Sequence, residues 1–465
     1  MSVQIYRQLL EAVLDGRLRS GERLPPTREL ARRLDVSRTT VGVAYEMLVA
    51  EGVLVGRIGA GSFVSAEPLN RGQARRAPAG AIHPRDVWKT IPVLIHHPQA
   101  TPLYDFGVGT PDPALFPFTT WRRLIANEFR PSNQRFGTYG HPAGHSGLRS
   151  AIARHIGISR AVHASADDVV VTQGAQQAFD LIGRVLISEG TCVAVEDPGY
   201  RAARMLFRSH GARVMGVPVD GEGLMVDAIP GNARIVYVTP SHQFPLGTAM
   251  SLQRRTNLLS WAERCGGIII EDDYDSEFRF DGRPLDPLQV MDRTGRVIYV
   301  GSFSKVLLPA LRVGFVVAPV SLQPALHAAK QLTDWHGELA TQAALARFID
   351  EGHLSRHLRR VARVYANRYA QIADALANRF DGLLVLVPAA AGLHLAAVAV
   401  PGNSIDMEQG VRRAHERGVS VRALADYYFE TSDRAGVVIG YGSIPSSRIK
   451  EGMRQLAAGF GRRAK

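Results

Sequence analysis

Apolar residues near the N-terminus recur at the three- and four-residue spacing of an amphipathic helix. The residues of this stripe are Val3, Ile5, Tyr6, Leu9, Leu10, Val13 and Leu14. Gly16 follows the stripe and predicts the end of the helix. A second, shorter helix is predicted over residues 27–34, TRELARRL.

A tight turn at Asp35-Val36 separates this second helix from a third, predicted over residues 38–50. Ser37 precedes the third helix and can cap its first turn. The following segment, VLVGRIGAGSFV, reads as a strand, a glycine-rich turn and a second strand. Three helices followed by a hairpin predict a winged helix-turn-helix over residues 1–66.

Residues 67–100 lack a clear apolar period and are rich in proline, glycine, alanine and arginine. Such a composition is typical of a connection between domains. We therefore predict a linker over residues 67–100 and a second domain over residues 101–465.

From residue 101 onward, short β-branched runs alternate with helical segments. The runs are DDVVVTQ, TCVAVED, RIVYVTP, GGIIIEDD, RVIYVGS and VGFVVAP. Unbroken apolar runs of this length are typical of strands buried on both faces of a mostly parallel sheet, which predicts an α/β domain. A smaller α+β part, from about residue 346 to 465, contains a predicted long helix (353–379) and two strands within 383–400.

The 383–400 stretch is apolar enough to raise the question of a membrane span. Its proline, glycine and histidine favour two buried strands joined by a PAAAG turn. The 465-residue chain is 46% hydrophobic and 21% charged, as in globular proteins. Its two cysteines, Cys192 and Cys265, exclude a disulfide framework and a cysteine metal cluster and fit a reducing compartment. We therefore expect a cytoplasmic protein that does not bind membranes.

The net charge of +12 permits nucleic-acid binding without demonstrating it. Residues 1–64 hold nine arginines against seven acidic residues, so only +2 of that charge lies in the predicted helix-turn-helix. DNA binding would therefore depend on the placement of individual side chains and on dimerisation.

Lysine is rare in this chain. Of 55 basic residues only five are lysines, namely Lys89, Lys305, Lys330, Lys450 and Lys465. We interpret Lys89, Lys330 and Lys450 as linker or helix-surface residues, and Lys465 is terminal. Lys305 follows a predicted strand, at a place where a primary amine can form a Schiff base and a guanidinium cannot.

In open α/β sheets, ligands bind beyond the carboxyl ends of the strands. The groups predicted at these ends suit a phosphorylated aldehyde. A phosphate could be held by the helix start at 174–176, which includes Ala175 and Gln176, together with Ser302, Ser304 and Arg312.

The remaining groups suit an aromatic ring attached to that aldehyde. Lys305 could form the Schiff base, and Asp272 could keep a pyridinium nitrogen protonated. Tyr274 could hydrogen-bond a phenolic oxygen, and Tyr200 could stack on the ring.

Three segments resemble the fold-type-I pyridoxal-phosphate aminotransferases: TPSHQFPLG, EDDYDSEF and GSFSKVLLPALRVGF. The N-terminal segment beginning LPPTRELARRLDVSRTTVGVAYEMLVAEG resembles a GntR-type winged helix. Together, in this order, they resemble the MocR-type (GabR-like) bacterial transcription regulators over nearly the whole chain outside the linker. The resemblance implies a winged helix-turn-helix joined to an α/β fold-type-I transferase-like domain with a smaller α+β C-terminal part.

The resemblance also implies roles for individual residues. Lys305 would be the lysine that bonds pyridoxal 5′-phosphate, Asp272 the partner of its ring nitrogen, and Tyr274 the contact of its phenolic oxygen. The phosphate ligands would be Ser302, Ser304, Arg312, Ala175 and Gln176, and Tyr200 would stack on the ring. Tyr139 would reach the cofactor of a neighbouring subunit, which implies a homodimer that is domain-swapped.

Two departures from the aminotransferase pattern concern the substrate end. Aminotransferases usually carry Asn-Pro-x-Gly where this chain has Phe244-Pro245-Leu246-Gly247, a change similar to that in the regulators. Val438 stands where aminotransferases place the arginine that grips a substrate carboxylate. In members that sense γ-aminobutyrate a second arginine follows the stacking tyrosine, and here Ala202 holds that register between Arg201 and Arg204.

For DNA, the resemblance points to the second and third helices and the wing. The implied contacts are Arg28, Ser37, Arg38, Thr39, Thr40, Arg57 and Gly59. Arg28 would meet a phosphate, and Arg38, at the start of the third helix, could reach a guanine edge or a phosphate.

Three functional hypotheses follow. The first is a transcription regulator that carries pyridoxal phosphate and senses an amino compound or the cofactor itself. The second is a working aminotransferase with a vestigial DNA-binding module, and the third is a cofactor-free dimerisation scaffold. We interpret His141 and His242 as hydrogen-bonding loop residues rather than acid–base groups, and we propose no metal site.

Overall fold

A computed structural model gives the fold of residues 1–57, 60–65, 82–92, 102–130, 137–279, 286–389, 391–402, 405–429 and 434–461. The chain divides into two compact units, Met1–Pro84 and Arg85–Lys465. No helix in these described ranges is long and apolar enough to cross a membrane.

The N-terminal unit contains three helices and a hairpin. They are α1 (Ser2–Leu14), α2 (Thr27–Arg33), α3 (Arg38–Ala50), β1 (Leu54–Arg57) and β2 (Gly61–Val64). The two strands pair antiparallel, and Asp35 adopts a left-handed backbone (φ 51°) in the turn before α3. Val41, Ala44 and Leu48 repeat along one face of α3 and are buried beneath α1 and the hairpin. The predicted winged helix-turn-helix is thereby confirmed.

The second unit is built on an eight-stranded mixed sheet in the order β4-β11-β10-β9-β8-β5-β6-β7. Its strands are β4 (Val169–Thr172), β5 (Cys192–Asp197), β6 (Arg213–Asp220), β7 (Gly223–Leu224), β8 (Ile235–Val238), β9 (Ile268–Asp273), β10 (Val297–Ser302) and β11 (Gly314–Val317). The five strands β10, β9, β8, β5 and β6 run parallel. All six predicted strands are present.

Helices cover both faces of this sheet. On β9, Ile270 packs with Phe179 on one face, while its neighbour Ile269 packs with Leu258 on the other. Successive strand residues point to opposite faces, so a run of apolar residues is buried on both sides. This explains why the strands read as unbroken apolar runs.

The helices of the second unit include the predicted long helix over 353–379. They are α4 (Val87–Thr90), α5 (Phe118–Glu128), α6 (Ser146–Arg160), α7 (Ala175–Leu186), α8 (Arg201–Ser209), α9 (Leu252–Cys265), α10 (Leu288–Met291), α11 (Gln323–Asp334), α12 (Leu339–Asp350), α13 (His353–Arg379), α14 (Met407–Glu416) and α15 (Ser446–Gly459). Short 3-10 turns lie at Pro113–Leu115, Ala166–Asp168, Val226–Ala228, Pro309–Leu311, Val320–Leu322 and Leu424–Tyr427.

The C-terminal part carries a second, antiparallel sheet in the order β12-β13-β16-β15. Its strands are β12 (Leu384–Leu386), β13 (His394–Ala399), β15 (Arg422–Ala423) and β16 (Gly436–Gly440), while β14 (Val419–Ser420) pairs with β3 (Tyr104–Asp105). The 383–400 stretch therefore forms the two buried strands expected of it.

Two strands differ from the expectation of a mostly parallel sheet. β11 runs antiparallel to β10 and to β4, because residues 303–313 between β10 and β11 are too few for a helical crossover. β6 was missing from the predicted strands because its burial alternates instead of forming an unbroken apolar run.

Candidate functional site

A cavity of about 390 Å³ lies beyond the carboxyl ends of β9 and β10. Nine of the ten predicted cofactor residues line it: Ala175, Gln176, Tyr200, Asp272, Tyr274, Ser302, Ser304, Lys305 and Arg312. The parallel pairing of β9 with β10 sets Asp272 beside Val300 and Asp273 beside Gly301. Asp272 and Lys305, 33 positions apart in the chain, thus meet at one edge of the sheet.

Lys305 points into this cavity from the segment that follows β10. Its Nζ donates a hydrogen bond to the carbonyl oxygen of Gly109, at 2.6 Å. Gly109 has φ 81°, a backbone conformation that favours glycine, and a Cβ there would lie 2.7 Å from Nζ and push the amine aside. Burial lowers the pKa of Lys305, which increases the fraction of neutral, nucleophilic amine.

Asp272 is buried at the end of β9. Its Oδ2 accepts a 2.6 Å hydrogen bond from Tyr237 Oη, whereas its Oδ1 has no partner among the described residues. Burial raises the pKa of Asp272 to about 7. A buried oxygen without a partner is costly, and Asp272 lines the cavity. This free oxygen fits a cationic N–H donor such as a protonated ring nitrogen.

The opposite end of the cavity suits an anion. Gly174 (φ 76°) precedes α7, whose first residues Ala175 and Gln176 line the cavity. The Arg312 guanidinium packs against this turn so closely that a Cβ at residue 174 would lie 2.8 Å from its Nη2. The backbone N–H of Ser304 donates to Ser302 Oγ at 3.1 Å, which brings both hydroxyls to the end of β10. Helix amides, hydroxyls and a guanidinium fit a phosphate group.

Tyr274 is held by a buried polar group that the sequence did not predict. Its Oη donates to the carbonyl oxygen of His242 at 2.9 Å. His242 Nδ1 lies 3.0 Å from Asp275 Oδ1, and burial with the Asp275 charge raises the pKa of Tyr274 well above its ordinary value. His141 Nδ1 accepts from the N–H of Ala143, so both histidines make loop hydrogen bonds as expected.

His242, Asp275 and His394 are all buried, and each offers a potential metal-ligating atom within 4.8 Å of the other two. No metal site was predicted from the sequence, and this group was missed because its members lie far apart in the chain. The Asp275 carboxylate is already engaged by His242 Nδ1. The three residues therefore form a hydrogen-bonded pair beside a third ring.

Aromatic rings form the wall of the cavity near Tyr200. The Phe244 ring packs edge-on against Tyr200 (5.6 Å between centroids), Tyr274 (6.0 Å) and Tyr427 (5.2 Å). Phe244 lines the cavity, so an apolar ring lies at the position where the resemblance to aminotransferases implied an asparagine. Tyr427 was not predicted, since it lies outside every motif.

The positions that could hold a carboxylate-binding arginine carry other residues. Val438 lies in β16 opposite Ala396 and is fully buried. Arg204 stacks on the Phe429 ring, 4.7 Å from its centroid, and Ala202 accepts a hydrogen bond from Gln176 through its backbone. Residues 201–204 therefore place no guanidinium among those that line the cavity.

Tyr139 is the tenth predicted cofactor residue, and it does not line the cavity of its own chain. Its side chain is 79% exposed, and its ring packs against Trp335 at 5.2 Å. An exposed tyrosine of this kind is available to a second chain.

The predicted DNA contacts lie on the surface of the N-terminal unit. Arg28, Ser37, Arg38, Thr39 and Arg57 are exposed, and Thr40 is half-buried. Ser37 Oγ accepts from the N–H of Thr40 at 3.1 Å, which caps α3 and exposes its first turn, as predicted. The Arg57 guanidinium packs over the Phe63 ring in the hairpin, and Gly59 lies outside the described residues.

Two family models match the chain. Residues 101–427 match aminotransferase class I and II, and residues 1–64 match the bacterial regulatory proteins of the gntR family. The chain is 36% identical to the probable rhizopine catabolism regulatory protein MocR of Rhizobium meliloti, over 99% of this chain and 94% of that protein.

The second unit is similar to solved aminotransferases. The kynurenine aminotransferase of Pyrococcus horikoshii, solved with PMP, superposes with a TM-score of 0.72 at 27% identity, covering 78% of this chain and 91% of that one. LysN of Thermus thermophilus, an α-aminoadipate aminotransferase solved with N-(5′-phosphopyridoxyl)-L-leucine, gives 0.70 at 31% identity, with 77% and 92% covered.

The raised pKa of Asp272 has a consequence for stability. Between its ordinary pKa of about 4 and its folded value of about 7, the folded chain keeps a proton that the unfolded chain releases. The free energy of unfolding of the cofactor-free chain should therefore fall as pH rises through this window. Asp272→Asn should reduce the slope by up to about 1 kcal/mol per pH unit, as measured by urea unfolding at several pH values.

The exposed Asp227→Asn substitution serves as a control and should leave the slope unchanged. If the free energy of unfolding of Asp272→Asn depended on pH as steeply as that of the unsubstituted protein, the raised pKa of Asp272 would be contradicted.

Proposed function

Because the chain belongs to the MocR-type subfamily of GntR regulators, with an aminotransferase class I and II domain, we propose that it binds operator DNA and senses an amino compound or pyridoxal phosphate itself. It is a DNA-binding transcription regulator, as predicted. The observation that carries the sensing proposal is the convergence of Lys305, Asp272 and Arg312 on one cavity in a chain with a winged helix.

The predicted cofactor, pyridoxal 5′-phosphate, is confirmed by the aminotransferase family and its phosphopyridoxyl-bound members. When bound, it supplies a carbonyl carbon open to attack by primary amines and an electron-withdrawing ring. Lys305 would present its amine to that carbon, and Asp272 Oδ1, which has no partner among the described residues, would accept the ring N–H. Tyr274 would contact the phenolic oxygen, and Tyr200 would stack on the ring.

The phosphate would be held at the other end of the cavity by the groups that suit an anion there. These are the amides of Ala175 and Gln176, the hydroxyls of Ser302 and Ser304, and the guanidinium of Arg312. A neutral amine at Lys305 is favoured by burial, and the Gly109 carbonyl orients it through a hydrogen bond.

An effector amine would compete with Lys305 for the carbonyl carbon that the cofactor supplies. A Lys305 amine that is not bonded to the cofactor donates its hydrogen bond to the carbonyl oxygen of Gly109, in a segment that packs against the C-terminal sheet. Gly440 N donates to the Phe106 carbonyl at 2.9 Å, and a Cβ at Gly440 would lie 2.0 Å from the Gly107 carbonyl oxygen. This tight packing supports a shift of the C-terminal part when Lys305 is released, which changes how two winged helices span their half-sites.

The regulator acts as a domain-swapped homodimer in the bacterial cytoplasm. Its domains are the winged helix at 1–66, a linker at 67–100 and the effector domain at 101–465, with the small part from about 346. The exposure of Tyr139 supports a contact with the partner's cofactor. Two winged helices held by one dimer compensate for the low net charge of each.

A working aminotransferase with a vestigial DNA module is the second candidate. The shared arrangement of Lys305, Asp272 and Tyr274 favours it, while Val438 in place of an arginine argues against a substrate carboxylate. Steady turnover of common amino donors with 2-oxo acids would establish this activity.

Lys305 should carry the covalent link to the cofactor. Incubation with one equivalent of pyridoxal phosphate followed by borohydride reduction should add one phosphopyridoxyl group to the unsubstituted chain and none to Lys305→Ala. Among the lysines that the structure describes, Lys305 alone lines the cavity, so its amine should form the reducible Schiff base. Intact mass and peptide mapping measure this. Lys450→Ala, at an exposed position of α15, should be labelled like the unsubstituted chain. A label that persists in Lys305→Ala would disprove that Lys305 bonds the cofactor.

Arg38 should contribute to operator binding from the exposed start of α3. Arg38→Ala should weaken binding to the DNA upstream of the chain's own gene by about tenfold in a gel-shift titration, the range expected for one lost base or phosphate contact. Arg33→Ala, which removes an arginine paired with Glu29 on α2, should change affinity little. Equal losses of DNA affinity in Arg38→Ala and Arg33→Ala would show that Arg38 makes no specific contact with the operator.

Ligand should alter DNA binding through Lys305. Pyridoxal phosphate, alone or with one member of an amine panel, should shift the apparent DNA dissociation constant of the unsubstituted chain. Lys305→Ala should bind DNA but lose the response to amines, because the proposed signal is the release of Lys305 and this variant has no amine at residue 305 to release. If pyridoxal phosphate and every amine leave the gel shift unchanged, the sensing proposal fails.

A further inference from the structure

Lys330 is buried, contrary to its interpretation as a helix-surface residue. It lies in α11 with 0% of its side chain exposed. Desolvation by burial lowers its pKa. A chain that has five lysines among 55 basic residues buries this one, which calls for a specific partner.

The partner is Asp334, one turn further along α11. Lys330 Nζ hydrogen-bonds Asp334 Oδ1, and Asp334 Oδ2 accepts from Gln173 Nε2 at 3.0 Å and Gln177 Nε2 at 2.8 Å. Burial acts to raise the pKa of Asp334, but the hydrogen bonds from Lys330, Gln177 and Gln173 hold it below its ordinary value. The carboxylate is therefore ionised and fully engaged.

Through Gln173, these hydrogen bonds connect Asp334 to the end of the cavity that suits an anion. Gln173 precedes Gly174, and its N–H donates to Gln177 Oε1 at 2.8 Å. Its carbonyl oxygen accepts from Arg312 Nη2 at 2.7 Å. Asp334 thus fixes the side chain of the residue whose backbone orients Arg312 and leads into the start of α7.

The position of Asp334 raises an electrostatic problem. An ionised carboxylate that accepts a hydrogen bond from Gln173, the residue before Gly174, would repel a phosphate dianion bound at that turn. Lys330 offsets this charge while leaving the hydrogen bonds to Gln173 and Gln177 intact. The pair is neutral as a unit, so it supports the turn without repelling the phosphate.

We propose that Lys330 and Asp334 are positioning residues that hold the Gln173–Gly174 turn and Arg312 for the phosphate of the cofactor. The inference rests on the proposed function, which places the phosphate at Ala175, Gln176, Ser302, Ser304 and Arg312. It predicts that Lys330 matters for the phosphate and not for the ring or the aldehyde.

The test compares pyridoxal 5′-phosphate with pyridoxal, which lacks the phosphate. Lys330→Met removes the positive charge and keeps the apolar stem, so it should raise the dissociation constant for pyridoxal 5′-phosphate by about tenfold and leave that for pyridoxal unchanged. Adding Asp334→Asn removes the uncompensated carboxylate while its amide oxygen still accepts from the glutamines, and should restore most of the affinity. Absorbance titration of the full chain measures both constants.

Two further variants complete the design. Lys450→Met, at an exposed position of α15, should change neither constant. If Lys330→Met fails to fold by circular dichroism, Gln177→Leu replaces it. This substitution removes the bond from half-buried Gln177 to Asp334 and the acceptor of the Gln173 N–H, and it should raise the dissociation constant about threefold for the phosphorylated ligand alone.

The outcomes separate the two proposals. An unsubstituted chain that binds both ligands equally would overturn the phosphate site and this inference with it. A chain that prefers the phosphorylated ligand, with Lys330→Met and Gln177→Leu weakening both ligands equally or neither, would overturn the role of Lys330 and Asp334 alone.

Discussion

The parallel pairing of β8, β9 and β10 is the constraint on which the site depends. Because parallel strands end at the same edge, the register that sets Asp272 beside Val300 also brings Lys305, three residues past β10, to the same cavity. Gly301 allows β10 and the Phe315 ring of β11 to pack closely, since a Cβ at residue 301 would lie 2.3 Å from that ring. A slip of one residue would turn Asp272 to the other face of the sheet.

The alternation of side chains along β9 also gives two neighbouring carboxylates different hydrogen-bond donors. Asp273 accepts from Arg160 Nε at 2.8 Å and from Tyr299 Oη at 2.6 Å. Asp272, on the opposite face, has Tyr237 as its donor. Each carboxylate keeps one oxygen without a partner among the described residues, and of the two only Asp272 lines the cavity. A buried carboxylate that is half satisfied is unfavourable in the cofactor-free chain and becomes favourable when a cationic ring nitrogen completes it. Burial in the same cavity lowers the pKa of Lys305, so one environment favours both a neutral amine at Lys305 and an Asp272 that awaits a cationic partner.

The helix-turn-helix, the six strand runs and nine residues of the cavity were predicted from the chain alone, because each depends on local periodicity or on residues at strand ends. The orientation of β11 was not, since a run of apolar residues carries no information on direction. Asp275 and Tyr237 escaped prediction because their partners, His242 and Asp272, are more than 30 residues away in the chain. Lys330 was misplaced on a surface because one lysine on a helix does not reveal which face is covered.

The sequence sufficed for the element order and the two-domain organisation, because local periodicity encodes them. It also sufficed for the class of chemistry, because an amine, a carboxylate and a guanidinium at successive strand ends suit a phosphorylated aldehyde. Only the tertiary structure decided which groups are left incomplete for a ligand and which are satisfied internally. Asp272 and Asp334 are both acidic residues at element ends, yet one keeps a free oxygen in the cavity while the other is neutralised by Lys330. That difference arises from burial and from donors brought in by distant elements, which no local pattern encodes.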